Sequence, residues 1–365
     1  MSRHKSLRAA AVKNNDEFYT LMEDIELELK HYGEFLKGKS VYCNCDDPYK
    51  SNFVKYFVKN FNNLGLTKLA ATCYAGADSQ LDLFADMGDK LKAYKVIITE
   101  VDDTATHEEV LANAGVEVLY GSGSFDSDEC IELLQDADVV VTNPPFSLFK
   151  SFIDTVVSYG KDFVVIGNTN ALLFDNIFRL FKDGKIHTGY TNFNAGMFFE
   201  VPNDYTKYTK LENGVKYAQV ISSCWYTSLP IRKAYEWLEL TCEYSPDKYP
   251  KYHNFDAINV DKVADIPKDY GGFIGVPVTF LDKYNPEQFE LIGILSSTAG
   301  SEIQAVRNYE NAYLVREDGR RERKYNLNIN ALLLHKEKPK GKYYIADGVD
   351  GYLTSCYARV LIRRR

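Results

Sequence analysis

Positive charge is in short supply in this chain of 365 residues. Its 43 lysines and arginines face 51 acids, for a formal net charge of -8. A uniformly basic surface is excluded, so a polyanionic partner would have to be met by a local cluster. Long apolar runs are missing as well. No stretch approaches the roughly 20 residues that cross a bilayer, and the opening MSRHKSLRAA lacks a signal peptide's apolar core. The expectation is a cytoplasmic protein with no membrane partner. Regular cysteine spacing is absent: Cys43, Cys45, Cys73, Cys130, Cys224, Cys242 and Cys356 are odd in number and scattered, which argues against a disulfide framework. Cys43 and Cys45 have no second pair and no nearby histidine, so no metal site is expected; they read as alternate positions of a strand. There is no internal repeat or low-complexity stretch. What is present is ordinary globular material: 45% hydrophobic residues, with 27 tyrosines and 21 phenylalanines, enough core for one large or two ordinary domains.

The first two-thirds alternate strand-like and helical patterns. Ile25, Leu29, Tyr32 and Leu36 are spaced as one helix face, as are Phe53, Phe57 and Phe61 ahead of Gly65. Between and after them lie the strand candidates Ser40–Cys45, Lys68–Cys73, Val116–Tyr120, Asp138–Thr142 and Asp162–Gly167. Helical stretches at Asp128–Asp136 and Leu148–Tyr159 flank the last two. Repeated β-α-β order predicts an α/β fold with a doubly wound, mostly parallel sheet, whose ligands bind at the carboxyl ends of its strands. After Tyr226 the chain turns tyrosine- and proline-rich and loses clean periodicity. Residues 1–230 and 231–365 are therefore expected to form separate regions.

The most informative segment is Asn143-Pro144-Pro145-Phe146, directly after the apolar run DVVVT. Two prolines fix an extended turn and remove two backbone donors. The Pro144 carbonyl then stands as an acceptor beside the Asn143 side-chain carbonyl, and together they can hold both N–H groups of an amine or amide. Held that way, the nitrogen lone pair is less conjugated and more nucleophilic, and Phe146 can stack on an attached ring. Such chemistry needs positioning and electrostatics rather than a strong base. It serves adenine in DNA, bases in RNA and glutamine side chains alike.

The sequence resembles the adenine-specific DNA methyltransferases of the EcoRI type, through most of its length. Asn15-Asp16-Glu17-Phe18-Tyr19-Thr20 is similar to that family's cofactor-contacting opening. Val41 to Pro48 with Ser51-Asn52-Phe53 occupies the place of the first strand and loop, and Leu69 to Tyr74 that of the second strand. Asp138 to Phe149 is similar to the catalytic segment, and Asn254–Lys262, Gly275–Gly293 and the closing ARVLIRRR also resemble the family.

The resemblance implies S-adenosylmethionine as cofactor, double-stranded DNA as partner, transfer to N6 of a flipped-out adenine, and a C-terminal region that reads the target. It leaves room for a cognate restriction endonuclease acting separately. It further implies that Phe18, Tyr19, Thr20, Asn44, Cys45, Asp46, Asp47, Ser124, Phe125 and Asn143 line the cofactor site. Asp46 or Asp47 would meet the methionine ammonium, and Phe125 the cofactor's adenine. Two departures stand out: the first loop, Cys45 to Phe53, has no glycine, and Gly123-Ser124-Phe125 replaces the family's Gly-Asp-Phe. Glu100, after KVIIT, reads either as the acid for the ribose hydroxyls, if that run is the equivalent strand, or as a solvated glutamate at a strand end. Arg316, Arg320, Arg321, Arg323 and Lys324 form the densest late basic cluster, which reads either as a polar hairpin tip or as a phosphate contact. The alternatives to this function are an RNA or protein-glutamine methyltransferase of the same fold and a non-catalytic DNA-binding relative; the intact Asn143–Phe146 segment argues against the last.

Overall fold

The computed structural model describes residues 18–74, 92–203, 205–295, 303–325, 327 and 330–365. They fall into two compact units, one from the described part of Met1–Ala171 with Ile186–Leu229, the other from Leu172–Lys185 with Pro230–Arg365.

The first unit opens with β1 (Tyr19–Thr20), α1 (Met22–Leu29), α2 (Gly33–Leu36) and β2 (Ser40–Cys43). The first helical pattern is thus broken in two, yet Ile25, Leu29, Tyr32 and Leu36 are all fully buried, as their spacing predicts. α3 (Asn52–Leu64) buries Phe53, Phe57 and Phe61 along one face. It starts where the Ser51 hydroxyl accepts from Phe53 N, and ends at Gly65 in the left-handed region, φ 63. Then follow β3 (Lys68–Cys73), β4 (Tyr94–Ile98), α4 (His107–Ala114), β5 (Val116–Val118), α5 (Asp128–Asp136), β6 (Val139–Thr142), α6 (Phe149–Ser158) and β7 (Asp162–Asn168). β8 (His187–Thr188), β9 (Met197–Val201), β10 (Lys210–Glu212), β11 (Val215–Val220) and β12 (Ser223–Thr227) complete the unit.

Eight of these strands form one sheet in the order β5-β4-β3-β2-β6-β7-β12-β8. β3, β2, β6 and β7 are mutually parallel. All four residues of β2 and of β6 are buried, the pattern of strands covered on both faces. The flanks depart from the expected mostly parallel sheet: β4 is antiparallel to both its neighbours and β12 to both of its own. The sheet is mixed. The chain leaves β2 toward β3 and returns on the other side of β2 as β6, and such a reversal opens a crevice at the carboxyl ends of the two strands. A second, four-stranded sheet, β1-β9-β11-β10, places Thr20 opposite Phe199.

The second unit holds α7 (Asp175–Lys182) and two sheets. β13 (Ile258–Asn259), β14 (Ile274–Pro277), β15 (Phe289–Leu295) and β21 (Arg359–Arg364) form the first, in the order β13-β14-β21-β15. β16 (Ala312–Val315), β17 (Arg321–Lys324), β18 (Leu332–His335), β19 (Tyr343–Ile345) and β20 (Tyr352–Ser355) form the second, in the order β17-β16-β19-β20-β18. The segments that resemble the family meet here. Buried Arg359 donates to Asn259 Oδ1 at 3.2 Å and pairs with Asp261 at 2.9 Å. Gly275 lies so close to the Tyr252 ring that an added Cβ would stand 2.2 Å from its hydroxyl. No helix among the described residues is long and apolar enough to cross a membrane.

Candidate active site

Thr142 ends β6, so the next residue, Asn143, emerges at the crevice between β2 and β6. Its amide nitrogen donates to the Phe18 carbonyl at 2.8 Å. This fixes the amide so that Oδ1 is its other end, and Oδ1 is buried without a partner among the described residues. Pro144 is buried, and its carbonyl takes no hydrogen bond among the described residues, whereas the Pro145 carbonyl accepts from Leu148 N at 2.9 Å. Two adjacent acceptors thus stand unsatisfied, at a cost that a two-donor amine relieves.

β2 ends beside them and delivers Asn44 through Asp47. Asp46 and Asp47, indistinguishable by sequence, are set apart here. Asp46 accepts from Ser51 Oγ at 2.6 Å and from Thr142 Oγ1, tying the cap of α3 to the end of β6. Both its oxygens are engaged. Asp47 accepts from Tyr94 Oη at 2.8 Å and from Tyr49 N at 2.9 Å through one oxygen, while Oδ2 is buried without a partner among the described residues. Among the same residues Asn44 Oδ1 and Thr20 Oγ1 are also buried and unpartnered. Thr20 belongs to the same place, because its carbonyl accepts from Asn52 at the start of α3. Four unmet buried polar atoms, on Thr20, Asn44, Asp47 and Asn143, therefore gather at the strand ends. Among the described residues no group of three or more His, Cys, Asp or Glu is placed to hold a metal ion, and burial pushes the Cys43 and Cys45 thiols well above their ordinary range.

Burial, partly offset by the bonds from Ser51 and Thr142, raises the Asp46 carboxyl to about 6. An acid raised in the folded state stabilises fully below its unfolded value and loses that contribution as pH rises through about 6, on the order of 2–3 kcal/mol in all. Asp46→Asn keeps an acceptor for one hydroxyl and adds a donor for the other. It is expected to flatten the melting temperature between about pH 4 and 7.5 and to raise it at the upper end; melting curves of parent and variant across that range check this.

Phe146 is half-buried in an aromatic group. It stacks on Phe18 with centroids 5.9 Å apart and meets Phe199 edge-on at 6.1 Å, while Phe18 also touches Tyr205 at 5.8 Å. One face of the ring is thus covered by Phe18. Phe146→Ala is expected to weaken stacking of a ring held at Asn143 by about 1–3 kcal/mol, with Trp largely restoring it. Titration with a fluorescent purine analogue checks this, and unchanged binding in the Ala variant reduces Phe146 to core. Phe199 and Tyr205 had no motif to mark them, although the alternation in Met197–Val201 was a strand signal. Glu28 helps fix the approach to this strand, accepting from Tyr190 N and Thr191 N at 2.8 Å each.

The remaining sequence candidates are placed as follows. Tyr19 pairs with Glu200 across the small sheet, and Cys45 lies between Asn44 and Asp46. Asn15, Asp16 and Glu17 lie outside the described residues. Gly123, at φ +70, packs on the Cys73 carbonyl, so the following Ser124 and Phe125 lie at the carboxyl end of β3. Ser124 Oγ donates to Asp126 at 2.5 Å, and buried Phe125 meets Phe152 edge-on at 5.3 Å. Glu100 is a correction. β4 runs antiparallel to β3, with Ile98 opposite Leu69 and Tyr94 opposite Cys73, so Glu100 follows the end of β4 that lies beside the start of β3. It is Tyr94, at the opposite end of the strand, that reaches the site.

The basic cluster forms a hairpin of β16 and β17. Arg316 pairs with Glu322 at 2.8 Å, Arg320 with Asp318 at 2.6 Å, and Lys324 with Glu322 at 2.6 Å. Arg323 donates to Asn311 at 3.0 Å and lies over the Tyr325 ring. Arg321 has no partner among the described residues. Much of the charge is compensated within the hairpin.

Comparison with known proteins matches residues 6–365 to the family model described as the adenine-specific methyltransferase EcoRI. The chain is 42% identical over 295 residues to the Type II methyltransferase M.EcoRI of Escherichia coli, covering 79% of this chain and 89% of that protein. It is 40% identical over 302 residues to the Type II methyltransferase M.MpnI of Mycoplasma pneumoniae, covering 80% and 86%. Identity to the Type II methyltransferase M.MgeORF184P of Mycoplasma genitalium is 38% over 302 residues, covering 80% and 87%. No solved structure matches. With the family model spanning nearly its whole length, the chain belongs to the adenine-specific EcoRI methyltransferase family.

Proposed function

We propose that this protein is a site-specific DNA methyltransferase that moves a methyl group from S-adenosylmethionine to N6 of an adenine turned out of the duplex. The observation that carries this reading is the pair of unused acceptors, Asn143 Oδ1 and the Pro144 carbonyl, at the crevice between β2 and β6. They match the two N–H donors of an exocyclic amine, and holding both turns the nitrogen lone pair out of ring conjugation. No general base is needed, since the nitrogen becomes acidic once alkylated and loses its proton to water.

The unmet polar atoms of Thr20, Asn44 and Asp47 suit a cofactor rich in N–H and O–H donors that carries positive charge. When bound, that cofactor supplies a sulfonium methyl open to in-line attack. Asp47 would hold the ammonium, with Tyr94 and the Tyr49 amide fixing its other oxygen. Phe18 lies between the two functions: its carbonyl aims Asn143 while its ring lies on Phe146. The second unit would read the target sequence. Its location outside the unit that holds the Asn143 site supports that role.

Labelled-methyl transfer to duplex DNA, RNA and protein, followed by mapping of modified adenines, tests the reading. Incorporation at N6 within one recurring DNA sequence is expected. Label in RNA or protein alone would overturn it.

A further inference from the structure

The hairpin sets Arg316, Arg320 and Lys324 against its own carboxylates, and elsewhere in the second unit Arg359 and Arg363 each face a carboxylate. Arg307 is exposed and faces none among the described residues. It stands instead at a cavity of about 510 Å³ floored by Tyr252, Phe255 and Leu333 and rimmed by Lys251, His253 and Arg307 itself. Lys251 is offset by Asp256, 3.4 Å away, which leaves the guanidinium as the uncompensated charge on this rim.

The guanidinium is also oriented. Arg307 Nη1 lies 3.4 Å from His253 Nε2, and His253 Nδ1 lies 2.6 Å from Tyr309 Oη. A guanidinium only donates, so Nε2 accepts and Nδ1 carries the proton toward tyrosine. Burial, with Arg307 adding to it, holds the imidazole below its ordinary pKa, consistent with a neutral acceptor. The backbone beneath is fixed by Asn254, which is fully buried. Its side chain accepts from Leu332 N at 3.0 Å and donates to Asn330 O at 2.7 Å, and its carbonyl accepts from Val306 N at 2.9 Å. His253 N in turn donates to Leu332 O at 2.7 Å. An exposed arginine held this way loses less freedom on binding than one on a loose loop.

We propose that Arg307, set by His253 and Tyr309 at the mouth of this groove, is a DNA contact of the second unit, presenting a two-pronged donor to a pair of acceptors on the target duplex. The inference rests on the reading that the second unit binds the target. The acceptor pair is either O6 and N7 of a guanine or two oxygens of a phosphate, both of which a guanidinium can take in a fork.

Full-length parent, Arg307→Ala and Arg307→Lys are titrated with the mapped target duplex, with single-position variants of it and with unrelated duplexes, over a salt series. Melting curves confirm folding. Both variants are expected to bind the target about tenfold or more weakly, because lysine keeps the charge but not the fork. Lost discrimination at one base position with an unchanged salt slope identifies a guanine edge. Equal weakening on every duplex with a slope smaller by about 0.9 identifies a phosphate. Parent-like binding and discrimination in both variants overturn the proposal. Photo-crosslinking of the parent to a reactive duplex separates that result from failure of the underlying reading. Crosslinks in the second unit would leave it standing without Arg307, and crosslinks confined to the first unit would remove it.

Discussion

Replacing Asn143 with alanine is expected to lower the rate of methyl transfer by at least about 10²–10³-fold while changing cofactor affinity little. The structure gives two reasons for a large effect. Oδ1 is a buried acceptor with no partner among the described residues, and in the proposed function it takes the substrate amine. Losing one preorganised bond of that kind costs roughly 3–4 kcal/mol in the transition state. The amide nitrogen also holds the Phe18 carbonyl, and Phe18 stacks on Phe146, so alanine loosens the stacking ring as well and misplacement adds to the loss. Asn143→Asp separates the two contributions: it keeps an acceptor but sets a carboxylate oxygen against the Phe18 carbonyl. Single-turnover rates with labelled donor, beside direct cofactor titration, resolve chemistry from binding. Turnover near that of the parent would remove Asn143 from the mechanism.

Asp47→Ala is expected to weaken cofactor binding by about 10–100-fold, the range of a lost hydrogen bond to a charged group. The two neighbouring aspartates differ in their partners. Asp46 uses both oxygens on Ser51 and Thr142, so its loss should be felt in stability, whereas Asp47 keeps one buried oxygen without a partner among the described residues. Tyr94→Phe removes the hydroxyl that orients Asp47 without removing the carboxylate, and should give a smaller loss of the same kind. Calorimetric titration of the donor on parent and both variants, with melting curves to confirm folding, checks this. Unchanged affinity in Asp47→Ala would show that its free oxygen faces no ligand, and a larger effect from Asp46→Ala in folded protein would exchange the two roles.

By itself the sequence determined several local elements of the first unit, because these depend on short-range pattern. The β-branched run VVVT reads as a covered strand, and Phe53, Phe57 and Phe61, followed by Gly65, read as one helix face. The segment Asn143–Phe146, proposed as catalytic, was legible for the same reason, its acceptors being set by two prolines and a strand end that are contiguous in the chain. Resemblance across many segments added the family, which four residues alone could not have given. Strand direction was decided by tertiary structure. Nothing in KVIIT says that it runs against KLAATC, yet that reversal carries Glu100 away from the site and brings Tyr94 to Asp47. Tertiary structure also distinguished Asp46 from Asp47, since adjacent identical residues differ only in what folds against them. Contacts such as Asp46 to Thr142, 96 residues apart, leave no periodic trace. The same holds for the late charges. Sequence spacing made the arginines of 316–323 a cluster and left Arg307 unremarked; folding spent Arg316 and Arg320 on neighbouring acids across a tight hairpin and left Arg307 facing a histidine. Charge density along a chain is a local property, but whether a charge is free depends on the partners that the fold brings to it.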